Sequence, residues 1–392
     1  MSKYIQDCIR NNSRSIIGSL TKPQQKALNE IIRGLFNTGT PILRHLAQDK
    51  NKSAKKQAEK YSYHLGNVEI KNNVDDFALN KAKKTVEQTT IIAYDLTDIS
   101  KENSKKMEKI STVFDGSKRK PTEGFTIHGV GINNILVKLE IHDSQCKTLN
   151  QTRLRIIREI SKKLDNQGIW VVDRGNDDKQ FFKDLRQNPK VDFIARLRKN
   201  RLVVVEETGV IIQVKNLHEG KYKIYLLNKT NTKVDLKEKY TLVISSHLKN
   251  KAPIRLLSNL DFEQYSIKEF VTMYLQRWGI ENGFKRIKTK FELEKIRLLN
   301  YEKCVNLIAL IQLAVILSTI TFLTIQQETN FLITGVLLMY KRFLKIKHLT
   351  FNNDSFISFM RDALKPLIHR KWHPPNQISL FSRRQLEKLG SF

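Results

Sequence analysis

Residues 168–198 read GIWVVDRGNDDKQFFKDLRQNPKVDFIARLR, and this stretch decides the fold class. An apolar run, IWVV, ends on Asp173; an amphipathic DKQFFKDLRQ follows, and a second apolar run, DFIARLR, closes it. Short runs rich in β-branched residues and bounded by turn residues are buried strands, and a helical pattern between two of them joins strands that lie parallel. Upstream, residues 148–165 carry a helical pattern and GFTIHGVGINNILVKLEI (124–141) splits into two strand-like runs at Asn133 and Asn134, the signature of a hairpin. Further upstream, IIAYDLTDIS (91–100) opens with a run that predicts a buried strand from Ile91 to Asp95.

Strand, hairpin, helix, strand, helix, strand is the order of an α/β fold with a ribonuclease-H-like mixed sheet flanked by helices. Residues 200–256 break the rhythm: RLVVVEE, GVIIQV, YKIYLL and YTLVISS are short strands separated by Gly, Asn and Lys turns, a β-rich insertion. The core is expected over 91–199 and resumes over 257–325, where SIKE (266–269) is a capping box that starts a long helix through EFVTMYLQRWGIENGFKRIKTKF. Residues 1–70 hold three short helical patterns, TKPQQKALNEIIRGLF, PILRHLAQD and SAKKQAEKYSYHL; the last is studded with Lys55, Lys56 and Lys60 beside Tyr61 and Tyr63. They read as an N-terminal helical DNA-binding module or as an ordinary helical hairpin with a solvated basic face. Residues 71–90 read as a linker, and 326–392 as a helical C-terminal region with a Pro-containing tail near His373–Asn376.

The 392 residues carry 69 Lys and Arg against 39 Asp and Glu, a net charge of +30, so the molecule attracts polyanions, nucleic acid above all. Cys8, Cys146 and Cys304 have no CxxC spacing, which argues against a disulfide framework or a zinc site and fits a reducing cytoplasm. The N-terminal sequence mixes charge with polar residues where a secretory signal needs an apolar core. Residues 304–323, CVNLIALIQLAVILSTITFL, approach the ~20 apolar residues of a membrane span. Asn306, Gln312, Ser318, Thr319 and Thr321 interrupt them, so the segment is expected to be a core helix and no membrane partner is expected.

Asp95 and Asp173 each stand where an apolar strand is expected to end, the edge of an open α/β sheet at which crevices form. Asp98, Asp177 and Asp178 are rivals by position, and an Asp after a strand is often only a turn residue. On the expected helix, Tyr274, Arg277, Glu281 and Lys288 fall on one polar stripe at ~100° per residue, beside an apolar stripe of Met273, Ile280, Phe284, Ile287 and Phe291. The alternative is a surface ladder in which Arg277 and Glu281 pair at i,i+4. Gly279 and Gly283 weigh against it, since a helix-interior Gly is costly and calls for a packing reason.

The spacing Tyr274-x2-Arg277-x3-Glu281-x6-Lys288 resembles the Tyr-Arg-Glu-Lys signature of bacterial cut-and-paste insertion-sequence transposases, of the DDE superfamily that includes retroviral integrases. YDLTD around Asp95 and VVDRGND around Asp173 resemble the family's two aspartate motifs, and FIARLRKNR resembles the segment that follows the second. The likeness runs from Ile91 to Asn300 in family order. It implies a catalytic and metal-binding triad of Asp95, Asp173 and Glu281. It also implies Tyr274, Arg277 and Lys288 as DNA-binding residues, and double-stranded DNA (element ends and target) as partner to a homodimer on paired ends. The setting would be the bacterial cytoplasm, at the nucleoid.

Three carboxylates without a His or Cys cluster suit Mg²⁺, or Mn²⁺, and the resemblance implies two ions, with Asp95 bridging them. In some relatives an insertion-domain aromatic, often Trp, receives a flipped base. This insertion has no Trp, so Tyr222, Tyr225 and Tyr240 are the stacking candidates, against plain sheet packing. Two other readings fit the same residues: a non-catalytic DNA-binding derivative or repressor of transposition, and a ribonuclease-H-like nuclease without strand transfer.

Overall fold

The computed structural model describes residues 2–47, 51–104, 106–116, 118–227, 236–246, 252–327 and 353–364. Five helices come first: α1 (Ser2–Ile17), α2 (Lys22–Thr38), α3 (Leu43–Leu46), α4 (Ala54–Gly66) and α5 (Lys71–Lys83). Strands β1 (Ile91–Ser100), β2 (Ser111–Asp115), β3 (Lys120–Ile132) and β4 (Ile135–Ile141) precede α6 (Leu149–Lys163), β5 (Ile169–Val172), α7 (Lys179–Gln187) and β6 (Asp192–Arg196). Strands β7 (Leu202–Val205), β8 (Ile211–Gln213), β9 (Gly220–Leu226), β10 (Lys239–Ser245) and β11 (Ile254–Ser258) follow, then α8 (Ile267–Leu275), α9 (Trp278–Thr289), α10 (Tyr301–Gln327) and the helix Asn353–Leu364.

Among the described residues, eleven strands form one mixed sheet, ordered β2-β3-β1-β5-β6-β11-β10-β9-β7-β8 with β4 also on β3. β1, β5 and β6 run parallel and the other pairs antiparallel. The expected mixed sheet is therefore present. The β-rich run over 200–256 does not stand apart: β11 pairs with β6, so the insertion widens the same sheet. At the β3–β4 turn Asn133 and Asn134 both take positive φ (47° and 65°), as a two-residue hairpin loop requires.

Strand periodicity sorts the core. Trp170, Val172, Phe193 and Ala195 join Phe181 and Phe182 of α7 on one face. Ile91, Ile169, Val171 and Ile194 meet Phe270, Val271, Met273 and Tyr274 of α8 on the other. Among the described residues α10 alone is long and apolar enough to cross a membrane, and it is almost wholly buried inside the protein. Its polar residues point at backbone: Asn306 Nδ2 donates to the carbonyls of Leu65 and Val68, and Gln312 Nε2 to that of Leu136. A helix apolar all round belongs in the centre of a fold, and α2 and α4 bury Leu28, Ile31, Leu35, Tyr61 and Leu65 in the same core.

The structure corrects three expectations. β1 does not stop at Asp95; β3 pairs with it through Ser100↔Gly124, so the ladder carries the strand on. Residues 71–90 are not mere linker, because Lys71–Lys83 is helical and buries Val74, Ala78, Leu79 and Ala82, a narrow stripe hidden among polar residues. The helix expected from Ser266 is two helices, α8 and α9. At the junction Gln276, Arg277, Gly279 and Ile280 donate to carbonyls three residues back, so the turn tightens there. Of the C-terminal region, 326–327 and 353–364 are described; the tail around His373–Asn376 lies outside the described residues.

Candidate active site

Tyr94 pairs with Val172 across β1 and β5, and Val172 with Ala195 across β5 and β6. One residue further along, Asp95 on β1 and Arg196 on β6 therefore lie level with Asp173, the residue that follows the end of β5, on the face shared with Ile91, Val171 and Ile194. α8 and α9 cover that face. Tyr274 Oη donates to Asp173 Oδ1 at 3.3 Å, and the Arg277 guanidinium reaches Asp95 Oδ2 and Glu281 Oε1, each at 2.6 Å. Five of the expected site residues are thus bonded in two adjoining groups, Tyr274 with Asp173 and Arg277 with Asp95 and Glu281, across about 180 positions of chain. Lys288 sits to one side, its Nζ donating to the Asp98 carbonyl at 2.7 Å.

A close approach lets α9 reach this position. A Cβ on Gly129 of β3 would lie 2.4 Å from the Phe284 ring, so only glycine allows the helix to lie this near the sheet. Gly279 and Gly283 lack that excuse, since a Cβ there would make ordinary contacts of 3.5 and 3.6 Å. The packing reason expected for them is absent among the described residues.

Electrostatics mark the site. Burial, opposed by Arg277 and reinforced by Asp173 and Glu281, pushes the Asp95 carboxyl up to about 6. Arg277 is 7% exposed and is held charged by Tyr274 and the three acids, against its burial. Its Nε is buried without a partner among the described residues. Here Arg277 supplies the positive charge between the carboxylates; among the described residues no three acidic, His or Cys side chains converge tightly enough to form a metal cage. The donor set still suits a divalent ion, being all oxygen, with Asp95 raised by burial and, to a smaller degree, by Asp173 and Glu281.

The rival acids have other contacts. Asp98 accepts from Thr126 Oγ1 at 2.6 Å, on the opposite side of β1 from Asp95. Asp178 caps α7, accepting from the Phe181 N–H at 2.8 Å. Asp177, fully buried, pairs with Arg201 and accepts from the Arg198 N–H at 2.8 Å, which ties the loop after β5 to the loop after β6. Because a buried pair broken on one side leaves an uncompensated charge, Asp177→Asn is expected to cost about 3 kcal/mol of stability, measured by urea unfolding, with Asp178→Asn close to neutral because Asn caps a helix as well as Asp does.

The three insertion tyrosines are engaged in packing. Tyr240 is buried against Phe193, Tyr225 Oη donates to Glu206 Oε1 at 2.8 Å, and Tyr222 Oη donates to the His218 carbonyl at 3.1 Å. Sequence reading missed Trp278, which opens α9 directly after Arg277 and is 61% exposed. It stands three residues before Glu281, at the start of the helix that carries the glutamate.

No curated protein matches the chain. A family model for the transposase DDE domain does match, over residues 87–317. That match covers more than half of the chain and every strand and helix carrying Asp95, Asp173 and Glu281, and on it the protein belongs to the DDE transposase family.

Proposed function

We propose that this transposase binds the ends of a mobile element, cleaves DNA by metal-dependent hydrolysis and joins the freed 3′-hydroxyls to target DNA through Asp95, Asp173 and Glu281. The observation that carries the reading is the level pair of Asp95 on β1 and Asp173 just past β5, tied to α8 and α9 by Tyr274 and by the Arg277 bridge to Glu281. Mg²⁺ or Mn²⁺, as two ions held by the three carboxylates, would activate the attacking oxygen and stabilise the leaving one. The chain's own residues position the DNA. Arg277 fixes Asp95 and Glu281 relative to each other and places a positive charge beneath the phosphate, Lys288 adds a point charge, and Tyr274 keeps Asp173 oriented.

The net charge of +30 and the basic helix α4 favour end recognition by residues 1–70, with binding that falls steeply with salt. These helices share a core with α10, so the role is tested by charge reversal at Lys55 and Lys56 rather than by truncation. Double-stranded DNA is the partner, and a homodimer on paired ends, in the bacterial cytoplasm, is the assembly this chemistry calls for.

Supercoiled plasmid bearing two element ends tests the proposal directly. With Mg²⁺ the protein is expected to release the intervening segment and insert it into a second plasmid; unbroken plasmid overturns the reading, and cutting without joining favours the simple nuclease. Trp278 is the base-stacking group in this reading. Trp278→Ala is expected to slow cleavage by about 10-fold, a stack being worth ~1–3 kcal/mol, and normal kinetics in that variant would remove it from the site.

A further inference from the structure

Arg196 ends β6 level with Asp173, on the face where Tyr274 and Arg277 lie, and is half-buried. A guanidinium half out of water beside catalytic acids would ordinarily close on one of them. Arg196 does not: among the described residues it has neither an ion pair nor a hydrogen bond through its side chain. Its charge is nonetheless felt by its neighbours. Burial raises the Tyr274 phenol while Arg277 and Arg196 oppose that rise, and Arg255, on the adjoining β11, is lowered by burial and then by Arg196. The flank of the site beyond Asp173 is thus positive, with Arg196 half-sunk in it and, among the described residues, no acid ion-paired with it.

The loop that follows continues the feature. Arg198 and Lys199 are exposed, and the buried Asp177 grips the Arg198 N–H and the Arg201 side chain, fixing this segment against the loop after Asp173. Strands lie about 4.8 Å apart, so Arg196 stands roughly 5 Å from the Asp173 backbone and twice that from Asp95. That is the reach of the next phosphate along a strand whose scissile phosphate lies over the acids.

We infer that Arg196 is a phosphate-binding residue of the active site, holding a DNA phosphate next to the scissile one on the Asp173 side, with Arg198 and Lys199 extending the track outward. This rests on the proposed function, because it needs DNA to lie over Asp95 and Asp173. No bond is made or broken by Arg196. A bidentate guanidinium contact fixes where the strand lies relative to the carboxylates.

The test uses full-length protein and a duplex ending in the terminal repeat read from the DNA flanking the gene. Neutral methylphosphonates replace, one at a time, the phosphates around the cut. Binding is measured without divalent metal and single-turnover cleavage with Mg²⁺. For the wild type, one methylphosphonate beside the cut is expected to weaken binding and slow cleavage about 10- to 100-fold. Arg196→Ala and the shape-preserving Arg196→Gln lose a similar factor on the natural duplex and nothing further on that modified one, while Arg196→Lys regains part of the loss. Wild-type rates in Arg196→Ala would overturn the inference. So would variants that stay as sensitive as the wild type to every methylphosphonate, since that pattern marks a structural defect. Failure of the wild type to cut any duplex sinks the proposed function instead, and the two outcomes are distinct.

Discussion

Asp95→Asn, Asp173→Asn and Glu281→Gln are each expected to reduce DNA cleavage and strand transfer together by about 1,000-fold or more, while end binding persists. The swaps preserve shape and hydrogen bonding but remove the negative charge a divalent cation needs. Cleavage and joining fail together because both are in-line displacements at phosphorus with different attacking oxygens. Asp98→Asn and Asp178→Asn are the controls that should keep activity; Asp177→Asn is not one, because its carboxylate is buried on Arg201. Substantial cutting by Glu281→Gln on a plasmid gel would overturn the assignment.

The same substitution at Asp95 is expected to make the metal-free protein more stable. Burial raises this carboxyl from its ordinary 3.8 to about 6, so the folded state holds the proton more tightly than the unfolded chain. The favourable contribution is complete below pH 3.8 and is lost as pH rises through 6. The shift corresponds to about 3 kcal/mol at neutral pH. Asp95→Asn should therefore unfold later than the wild type at pH 7.5 and alike at pH 3.5, and Mg²⁺ should stabilise only the wild type. Equal stability at both pH values would show that Asp95 is not strained.

Arg277→Ala is the second large effect: cleavage is expected to fall about 100-fold, and the metal-free protein to lose about 3 kcal/mol at neutral pH. Arg277 bridges two carboxylates in a largely buried setting, so its removal leaves Asp95 facing Asp173 and Glu281 without a counter-charge. Asp95 should then titrate above 6. Mg²⁺ affinity at pH 8 should remain near that of the wild type, because the ligands are intact, and Mg²⁺ should recover most of the lost stability. Arg277→Lys cannot fork between two acids and should resemble Arg277→Ala more than the wild type. Metal binding lost as completely as in Asp95→Asn would contradict this role.

Much of this was legible in the sequence because strands and helices advertise themselves by period. The runs ending at Asp95 and Asp173 were readable as neighbours-to-be, and the stripe from Tyr274 to Lys288 pointed at the sheet even though the helix tightens at Gln276 and Arg277. That turn stays helical in sense, so the side chains keep to one side. α5 was not legible as structure, since Val74, Ala78, Leu79 and Ala82 are few among polar neighbours and bury against elements far away in the chain. Nor was Arg196, whose meaning depends on strand register, a long-range quantity. The sequence also could not say that the Gln312 side chain would reach the Leu136 carbonyl and Asp75 from the middle of α10.

That central helix has a consequence for how the protein is made. Ribosomes synthesise α2 and α4 first, yet both come to rest against α10, which emerges only after the whole sheet has been translated. At ~5–20 residues per second the wait is on the order of tens of seconds. Throughout it the N-terminal helices travel with their greasy sides uncovered, clients for whatever chaperone stands at the tunnel exit, and the nascent enzyme cannot close its core until α10 arrives.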